Sequence, residues 1–283
     1  MKIKGPKTIT NVMVENKKLD PNSFLYNHKR IEKPSLNSFN VHLHNAYEMI
    51  FFVGGDATQI VENRAYKLKK NDLIIVRPLK YHYIEINSPK TYERHNLLFD
   101  PKILGINNIN LLPEDFDIVN CTNNKRMVEI FKKLDFYHKN LPANEFADLS
   151  ASLIKELFYN MRFLVSQPIA TEYSILDPLF TKILDYINDN LFTIKNLEEV
   201  AKYAFISKSQ LFKLFNTFLK TSPKQYVINK RLLSAQNFIV SGEHPTSVYL
   251  KCGFSDYSSF YRSYRQYFGH SPSTTEKINF ENF

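Results

Sequence analysis

The chain of 283 residues has no tryptophan, only seven glycines and only two cysteines. Cys121 and Cys252 lie 131 positions apart and form neither a metal-binding nor a redox motif, which indicates a reduced cytoplasmic setting. No run approaches the about 18 uncharged apolar residues of a membrane-spanning helix, and the basic N-terminus lacks the apolar segment of a secretory signal. These absences argue against a secreted disulfide-rich protein and against a membrane partner.

The positive charge is concentrated near the C-terminus. The formal net charge is +9, and residues 202–275 contain ten basic and two acidic side chains, which gives +8 there and +1 elsewhere. A basic block of this kind is typical of a protein that binds a polyanion such as nucleic acid. A helical bundle with a solvated basic face would give the same count, so a DNA site requires a motif as well.

The first hundred residues favour β structure, and the later part of the chain favours helices. Short β-branched and aromatic runs, "TQIV", "AYKL" and "DLIIV", are separated by turn-forming Gly-Gly, Glu-Asn and Asn-Asp pairs. Their close spacing predicts a small sandwich or barrel. Apolar residues at helical spacing over 127–134 and 146–164 predict helices that either cover the β domain or pair with the same helices of a second copy.

The pattern divides the chain into two domains and predicts a multidomain α+β fold. Residues 1–165 are predicted to form a β-barrel or β-sandwich with flanking helices at about 122–165. The polar segment 166–175, which contains Pro168, is predicted to be a linker. Residues 176–275 are predicted to form an all-α domain that carries the repeat described next.

The C-terminal block contains an internal repeat. Residues 200–207, "VAKYAFIS", match residues 248–255, "VYLKCGFS", at an offset of 48. One extra residue then raises the offset to 49, at which Lys213 matches Arg262 and the first Ser-Pro pair matches the second. Two copies of one helix-turn-helix unit, joined by the helix-forming stretch "PKQYVINKRLLSAQNFIV", explain this pattern.

Both units carry helix signals where the repeat requires them. Asn196 and Ser207 are the predicted N-caps in the first unit, and Ser255 or Asp256 is the predicted N-cap of the second helix in the second unit. The turn of the second unit contains Gly253, which tolerates a positive φ angle. The predicted second helices are therefore "KSQLFKLFNTFL" and "YSSFYRSYRQYF".

The second helix of each unit is a candidate for entering a DNA major groove. There Arg262 can make two hydrogen bonds to guanine, and Gln210 or Gln266 can read adenine. Lys220 and Lys224 are candidates for phosphate contacts that carry no sequence information. The other outward-facing candidates are Ser209, Lys213, Asn216, Thr217, Tyr257, Ser258, Tyr261 and Arg265.

Residues 177–275 resemble the DNA-binding domain of AraC/XylS-family transcription regulators. "GFSDYSSFYRSYRQYFGHSPSTT" resembles the signature stretch of that family, and "KRLLSAQNFI" resembles its linker helix. The chain departs from the pattern at Tyr249, where a small residue is usual, and at Thr221, where glycine is usual. The resemblance implies that the two recognition helices enter successive major-groove segments on one DNA face. By motif position, it implies base-facing roles for Ser209, Phe212, Lys213, Tyr257, Ser258, Ser259, Tyr261 and Arg262.

A histidine-rich stretch lies in the β region. In "HLHNAYE", His42 and His44 alternate onto one strand face, Glu48 has the same parity, and His82 follows a later strand. Three imidazoles and a carboxylate can bind zinc, iron, nickel or manganese. Together with "NDLIIVRPLKYH", the stretch resembles the two motifs of the cupin fold, although the second motif lacks two usual glycines.

Two functions fit these features. The AraC/XylS resemblance implies a cytoplasmic homodimeric regulator that binds double-stranded DNA, with RNA polymerase as a further partner if it activates transcription. Its cupin-like domain would bind a small-molecule effector, with a sugar or related metabolite as one candidate class. The alternative is a cupin metalloenzyme, an isomerase or dioxygenase with a helical appendage. Since the tandem repeat fits only a regulator, no enzymatic activity is expected.

The candidate effector contacts combine hydrogen-bond donors with aromatic rings that can stack on an apolar ligand face. They are His42, His44, Glu48, Arg77, Tyr81, His82 and Tyr83. The AraC/XylS resemblance implies that no cofactor is required, because many regulators of that family carry a cupin-like sensor domain with a similar histidine-rich stretch and no required metal. A divalent metal at His42, His44, Glu48 and His82 is the open alternative.

Overall fold

A β domain of two sheets precedes a helical domain in the computed structural model, which describes residues 24–36, 39–104, 112–113, 117–165 and 173–275. One sheet has the strand order β1-β7-β2-β5-β8 and the other β6-β3-β4-β9. This architecture confirms the predicted multidomain α+β class. The strands are β1 Phe24–Ile31, β2 Tyr47–Gly54, β3 Ala57–Val61, β4 Arg64–Lys67, β5 Asp72–Val76, β6 His82–Ile86, β7 Tyr92–Phe99, β8 Ile118–Asn120 and β9 Ser174–Ile175.

The predicted runs "TQIV", "AYKL" and "DLIIV" correspond to β3, β4 and β5. The turns between them require left-handed backbone, with φ of 53° at Glu62 and 65° at Asn71. Apolar side chains of the two sheets, such as Phe52 of β2 and Ile84 of β6, pack together between the sheets. The two sheets therefore enclose an interior, which is where a cupin-like domain would hold a ligand.

Two helices, α1 Lys125–Asn140 and α2 Ala143–Val165, cover the outer face of the first sheet. The Phe131 ring stacks on Phe51 with centroids 4.3 Å apart, and the predicted stripe through Met127 and Leu134 is fully buried. The apolar stripes thus cover the β domain, which was one of the two predicted alternatives. Pairing of the outer side of α2 with a second copy stays a prediction.

Most of the predicted linker, residues 166–172, lies outside the described residues. Its last part, Ser174–Ile175, forms β9 and pairs with β4, with Arg64 opposite Ile175. The chain therefore adds a short strand to the second sheet immediately before the helical domain begins.

The helical domain contains the two predicted helix-turn-helix units. Asp177 caps its first helix, and the long helix α6 coincides with the predicted stretch between the units. No helix among the described residues combines the length and apolar character that crossing a bilayer requires. The helices are α3 Pro178–Asp189, α4 Leu197–Tyr203, α5 Lys208–Leu219, α6 Pro223–Val240, α7 Pro245–Lys251 and α8 Tyr257–Phe268.

Candidate functional site

The two helix-turn-helix units have the same capping geometry. In the first unit, Ser207 Oγ accepts a hydrogen bond from the backbone N–H of Gln210 at 3.2 Å, where α5 begins. In the second unit, Asp256 Oδ1 accepts from the N–H of Ser259 at 2.7 Å, where α8 begins. Of the two caps predicted for α8, Asp256 is therefore the one that forms.

Both units also use left-handed backbone at matching positions of the repeat. The φ angle is 56° at Phe205 and 77° at Gly253, in the two turns. The helices α5 and α8 end alike, at Lys220 with φ 52° and at Gly269 with φ 78°. The sequence repeat thus corresponds to a repeat of backbone geometry, and the positive φ predicted at Gly253 is confirmed.

The predicted DNA-facing side chains are mostly open to solvent, so the β domain does not cover them. Phe212 is 43% exposed although it is apolar, which places it outside the core. Lys213 and Arg262 make no ion pair within the described part of the chain. The exposed candidates are Ser209, Gln210, Phe212, Lys213, Asn216, Lys224, Ser258, Arg262, Arg265 and Gln266, and the half-buried ones are Tyr257, Ser259 and Tyr261.

Part of the basic block is not on the surface. Lys230 is 3% exposed and Arg231 is 8% exposed, so eight of the ten basic side chains remain to form a charged face. The net charge of the block therefore overstates the positive charge that a DNA backbone would meet. Both buried cations lie on α6, where Lys230 pairs with Glu62 and Arg231 donates hydrogen bonds to backbone carbonyls.

Arg231 joins the two units, a role that sequence reasoning missed. Its guanidinium donates hydrogen bonds of 2.7 Å to the backbone carbonyls of Leu191 and Ile194, before α4, and of Gly253, in the turn before α8. The planar guanidinium thus satisfies three carbonyls, two that precede α6 in the chain and one that follows it. The sequence signals this role only by placing an arginine next to the apolar residues that α6 buries.

A cavity of about 480 Å³ lies between the two sheets of the β domain and contains the histidine-rich stretch. Glu48 Oε2 lies 3.2 Å from His44 Nε2 and 2.6 Å from His82 Nε2. The His42 ring lies beside that of His82, with centroids 4.2 Å apart. The predicted group of three histidines and one glutamate therefore comes together, with its possible ligand atoms within 4.8 Å of one another.

The backbone fixes the same tautomer in all three histidines. The Nδ1 atoms of His42, His44 and His82 lie 2.9, 3.0 and 2.9 Å from backbone carbonyl oxygens two residues away in the chain. Since a carbonyl only accepts, each Nδ1 carries the proton that it donates. The Nε2 atoms that face Glu48 therefore need either a second proton or a cation between them and the carboxylate. These residues fit a divalent metal, and outer-sphere hydrogen bonds of this kind orient metal-bound histidines.

The electrostatic environment of the cavity has opposite consequences for Glu48, which stays charged, and His42, which stays neutral. Burial alone would raise the pKa of Glu48, but the charge of His82 and the hydrogen bonds from His44 and His82 hold it well below its usual range. Burial, followed by the charge of His82, lowers the pKa of His42 to about 4. At neutral pH the cavity thus holds a carboxylate beside an imidazole with a free lone pair.

Three further cavity residues were missed by sequence reasoning. Gln59 Oε1, Arg94 Nε and Asn96 Oδ1 are buried and have no hydrogen-bond partner among the described residues. Asn96 donates its amide N–H to Glu48 Oε1 at 2.6 Å, which leaves its oxygen facing elsewhere. Gln59 did carry a signal, because it is a polar residue on the same strand face as the core residues Ala57 and Val61.

Two predicted effector contacts lie outside the cavity, whereas Tyr83 borders it. Arg77 donates a hydrogen bond to Asp117 Oδ1 at 2.8 Å, away from the histidines. Tyr81 is fully buried against the helical domain, where its ring stacks on Tyr226 with centroids 4.9 Å apart. Arg77 and Tyr81 are close to His82 in sequence, but their side chains make their contacts elsewhere in the fold.

The same short segments border the cavity and contact the helical domain. Leu43, between His42 and His44, is 1% exposed and packs into the core of the helical domain. Tyr83 borders the cavity and donates its hydroxyl hydrogen bond to Phe218 O, near the end of α5, at 3.2 Å. A change in the cavity can therefore reach the helical domain through directly bonded neighbours.

A buried ion pair also joins the two domains. Glu62 Oε1, in the β3–β4 turn, lies 2.8 Å from Lys230 Nζ and accepts a hydrogen bond from the Tyr226 hydroxyl, also at 2.8 Å. Burial would raise the pKa of Glu62, but the charges of Lys230 and Lys80 lower it to about 2. Burial lowers the pKa of Lys230 to about 8 against the opposing effect of Glu62. The pair is therefore ionised at neutral pH.

Comparison with known proteins gives two matching domain families. Residues 30–109 match the AraC-like ligand binding domain and residues 200–278 a helix-turn-helix domain, together more than half of the chain. The probable transcriptional regulator LumQ of Photobacterium leiognathi is 37% identical over 90 residues, which cover 31% of this chain and 36% of that protein. The regulator GbdR of Pseudomonas aeruginosa is 30% identical over 131 residues, which cover 44% and 35%.

The matched segments thus span about a third of the length of these curated relatives. Among solved structures, ToxT from Vibrio cholerae aligns with 89% of this chain and 97% of its own, with 16% identity and a TM-score of 0.39.

Proposed function

Because the chain belongs to the AraC/XylS family, we propose that it is a transcription regulator that binds double-stranded DNA through its two helix-turn-helix units. The observation that carries this proposal is the pair of capped helices, α5 and α8, whose outer side chains stay exposed in the presence of the β domain. Each helix can enter a major groove, and the two units would read successive segments of one site.

The DNA contacts would be of two chemical kinds, contacts to base edges and contacts to phosphates. Arg262 would bind guanine with two parallel hydrogen bonds, and Gln210 or Gln266 would read adenine. Lys224, at the exposed start of α6, would contact phosphate and add affinity without sequence preference. The remaining base-facing candidates would act by shape, by hydroxyl contacts and, at Phe212, by contact with thymine methyl groups.

The cavity would bind the effector. The free oxygens of Gln59 and Asn96 can only accept hydrogen bonds, so the effector has to donate to both, as a hydroxyl-rich molecule does. Arg94 offers an unused donor to a hydroxyl or carboxylate of the same molecule. A sugar or sugar acid satisfies all three groups, with His42, His44, His82 and Tyr83 as further contacts. The protein would act as a cytoplasmic homodimer, and an activator would also contact RNA polymerase.

The effector would act through the domain interface rather than by uncovering the DNA-reading side chains, since these are already exposed. Displacement of the His42–His44 segment would move Leu43 within the helical core and alter how α5 and α6 are held. Binding would thereby shift the population between arrangements that differ in DNA affinity.

Control by a divalent metal is a second candidate, supported by His42, His44, His82 and Glu48, whose possible ligand atoms lie within 4.8 Å of one another. A metal there would fix the same His42–His44 segment that an organic effector would contact. Stoichiometric metal in purified protein, lost in the double variant His42→Ala/His44→Ala, would support this candidate. Metal content that the double variant leaves unchanged would contradict it.

Selection of bound DNA from a random pool with the full-length chain tests the proposed function. We expect enrichment of one site with two conserved segments about 10 base pairs apart, because that spacing places both helices on one DNA face. Absence of any enriched sequence would contradict DNA recognition and would favour a cupin metalloenzyme with a helical appendage.

The interface is tested separately by Glu62→Gln, which leaves the Lys230 charge buried without its partner. We expect a loss of about 3–5 kcal/mol and separate unfolding transitions for the two domains, measured by calorimetry. The double variant Glu62→Gln/Lys230→Met is the control and should recover much of the loss. A single unchanged transition in Glu62→Gln would show that the ion pair does not hold the domains together.

A further inference from the structure

Four side chains that could ligate a metal converge on the side of the first sheet that faces α1. Tyr26 and His28 come from β1, His95 comes from β7, and Asp135 comes from α1. His28 Nδ1 lies 2.8 Å from Asp135 Oδ1, His95 Nδ1 lies 2.7 Å from the Tyr26 hydroxyl, and that hydroxyl lies 3.4 Å from Asp135 Oδ1. One carboxylate oxygen, two imidazole nitrogens and a phenol oxygen therefore form a continuous chain of neighbouring atoms.

The strand register explains why these residues meet. His28 stands directly opposite His95 in the β1–β7 ladder, and the two rings stack with centroids 4.1 Å apart. Along β7, His95 faces the helices, whereas its neighbours Arg94 and Asn96 border the cavity. The group on the helix side is thus a separate site from the histidines in the cavity, on the opposite face of the same strand.

We propose that His28, His95 and Asp135 form a second divalent-metal site, for a borderline ion such as Zn²⁺, with the Tyr26 oxygen or a water as the fourth ligand. The donor set of two imidazoles and a carboxylate suits Zn²⁺ and neighbouring first-row metals. The possible ligand atoms of the three residues lie within 4.8 Å of one another, so small rotations of the side chains bring them to a common centre.

The surroundings of the group match those of known metal ligands. His28 Nε2 lies 2.9 Å from Glu93 Oε1, and Glu93 is in turn held by Arg30 at 2.8 Å. A carboxylate on the far nitrogen of a histidine orients the ring toward the metal and raises its basicity.

A metal at this site would tie the first sheet to α1. His28 and His95 belong to two paired strands, and Asp135 belongs to the helix that packs across them. The metal would therefore stabilise the packing of the helical pair on the β domain, and loss of the metal would loosen it. The role is structural, because the ligands come from two strands and a helix that pack against one another.

Equilibrium binding of Zn²⁺ to the full-length chain, purified without a histidine tag, tests the proposal. The cavity variant His42→Ala/His44→Ala/His82→Ala serves as the parent, so that only the second group is measured. We expect one Zn²⁺ per chain by metal analysis after chelation and reloading, visible absorption on Co²⁺ substitution, and a higher melting temperature with Zn²⁺.

Within this parent, Asp135→Asn keeps the size of the side chain and should lower Zn²⁺ affinity by more than about tenfold. His95→Gln should have a similar effect. Glu93→Gln should lower the affinity by about 10- to 100-fold, because Glu93 orients the His28 ring. His244→Asn is the matched control, since His244 caps α7 in the helical domain, outside both ligand groups, and it should leave the affinity unchanged.

No Zn²⁺ binding by the folded parent would overturn the proposal and leave an ion-pair network in which protonated His28 bridges Asp135 and Glu93. Binding that Asp135→Asn and His95→Gln leave unchanged would also overturn it. Circular dichroism of each variant checks its folding, and the Asp135→Asn result decides if His95→Gln does not fold.

Discussion

At the turn between its two helices, the first helix-turn-helix unit has Phe205 where the second has Gly253. Both residues have positive φ, and the ends of α5 and α8 repeat the contrast with Lys220 and Gly269. The first unit therefore reaches the same backbone geometry with residues for which that geometry is strained. The two units thus share a backbone conformation but differ in the residues that adopt it.

The surroundings explain why only one turn needs glycine. Phe205 is 89% exposed, so its side chain occupies open solvent. A Cβ atom on Gly253 would lie 2.3 Å from Phe192 O and 2.9 Å from Arg231 Cζ. Glycine is thus required at the second turn by close packing around Arg231, in addition to the φ angle.

The largest expected effect comes from breaking the connection between the units. Arg231→Met removes three hydrogen bonds from a charged donor and leaves three carbonyls without it, which we expect to cost about 3–5 kcal/mol of unfolding free energy. Denaturant titration measures this loss. Arg265→Met makes the same change at an exposed site of α8 and should stay within about 0.5 kcal/mol of the parent. Equal effects at both positions would contradict the role of Arg231.

The second prediction concerns the turn of the second unit directly. Gly253→Ala should lower the unfolding free energy by about 2–4 kcal/mol, because positive φ and steric overlap act together. Gly242→Ala is the matched control, since Gly242 also has positive φ but nothing lies within 4 Å of its Cβ position. Thermal and denaturant unfolding of both variants gives the difference, and similar losses in the two would remove the argument from close packing.

The third prediction compares the recognition helices at matching positions of the repeat. Arg262→Ala should weaken binding to the selected DNA site by about 1–3 kcal/mol and relax its sequence preference. Lys213→Ala should have a smaller and less sequence-dependent effect, because lysine acts as a point charge and lacks the fork of arginine. Fluorescence anisotropy on matched and mismatched sites measures both, and unchanged affinity of Arg262→Ala for its site would sink this assignment.

The smallest predicted effect has the opposite sign. Phe205→Gly relieves left-handed strain but loses the lower unfolded-state entropy of phenylalanine, so we expect a gain in unfolding free energy below about 1 kcal/mol. Lys220→Gly, at the position that matches Gly269, should behave in the same way. A clear loss of stability in both variants would indicate that the side chains at these positions contribute contacts beyond the shared backbone geometry.

The local patterns of the sequence predicted the repeat, its caps and the grouping of His42, His44, Glu48 and His82 well. The repeat is visible because the same apolar and turn positions recur. His42 and His44 share a face because side chains alternate along an extended segment, and His82 joins them through the bridge between His42 and His82. The position of Tyr81 depends instead on how the two domains pack, and that of Arg77 depends on Asp117 elsewhere in the β domain. The roles of Lys230 and Arg231 also depend on tertiary contacts, because buried and exposed cations look alike in a sequence.

The central claim, that the two units read successive segments of one DNA site, is tested most directly by repeating the random-pool selection with one unit altered at a time. The account predicts two conserved segments for the parent chain, of which Arg262→Ala loses only one and Gln210→Ala/Lys213→Ala loses only the other. A single segment in the parent, or the same segment lost in both variants, would contradict it.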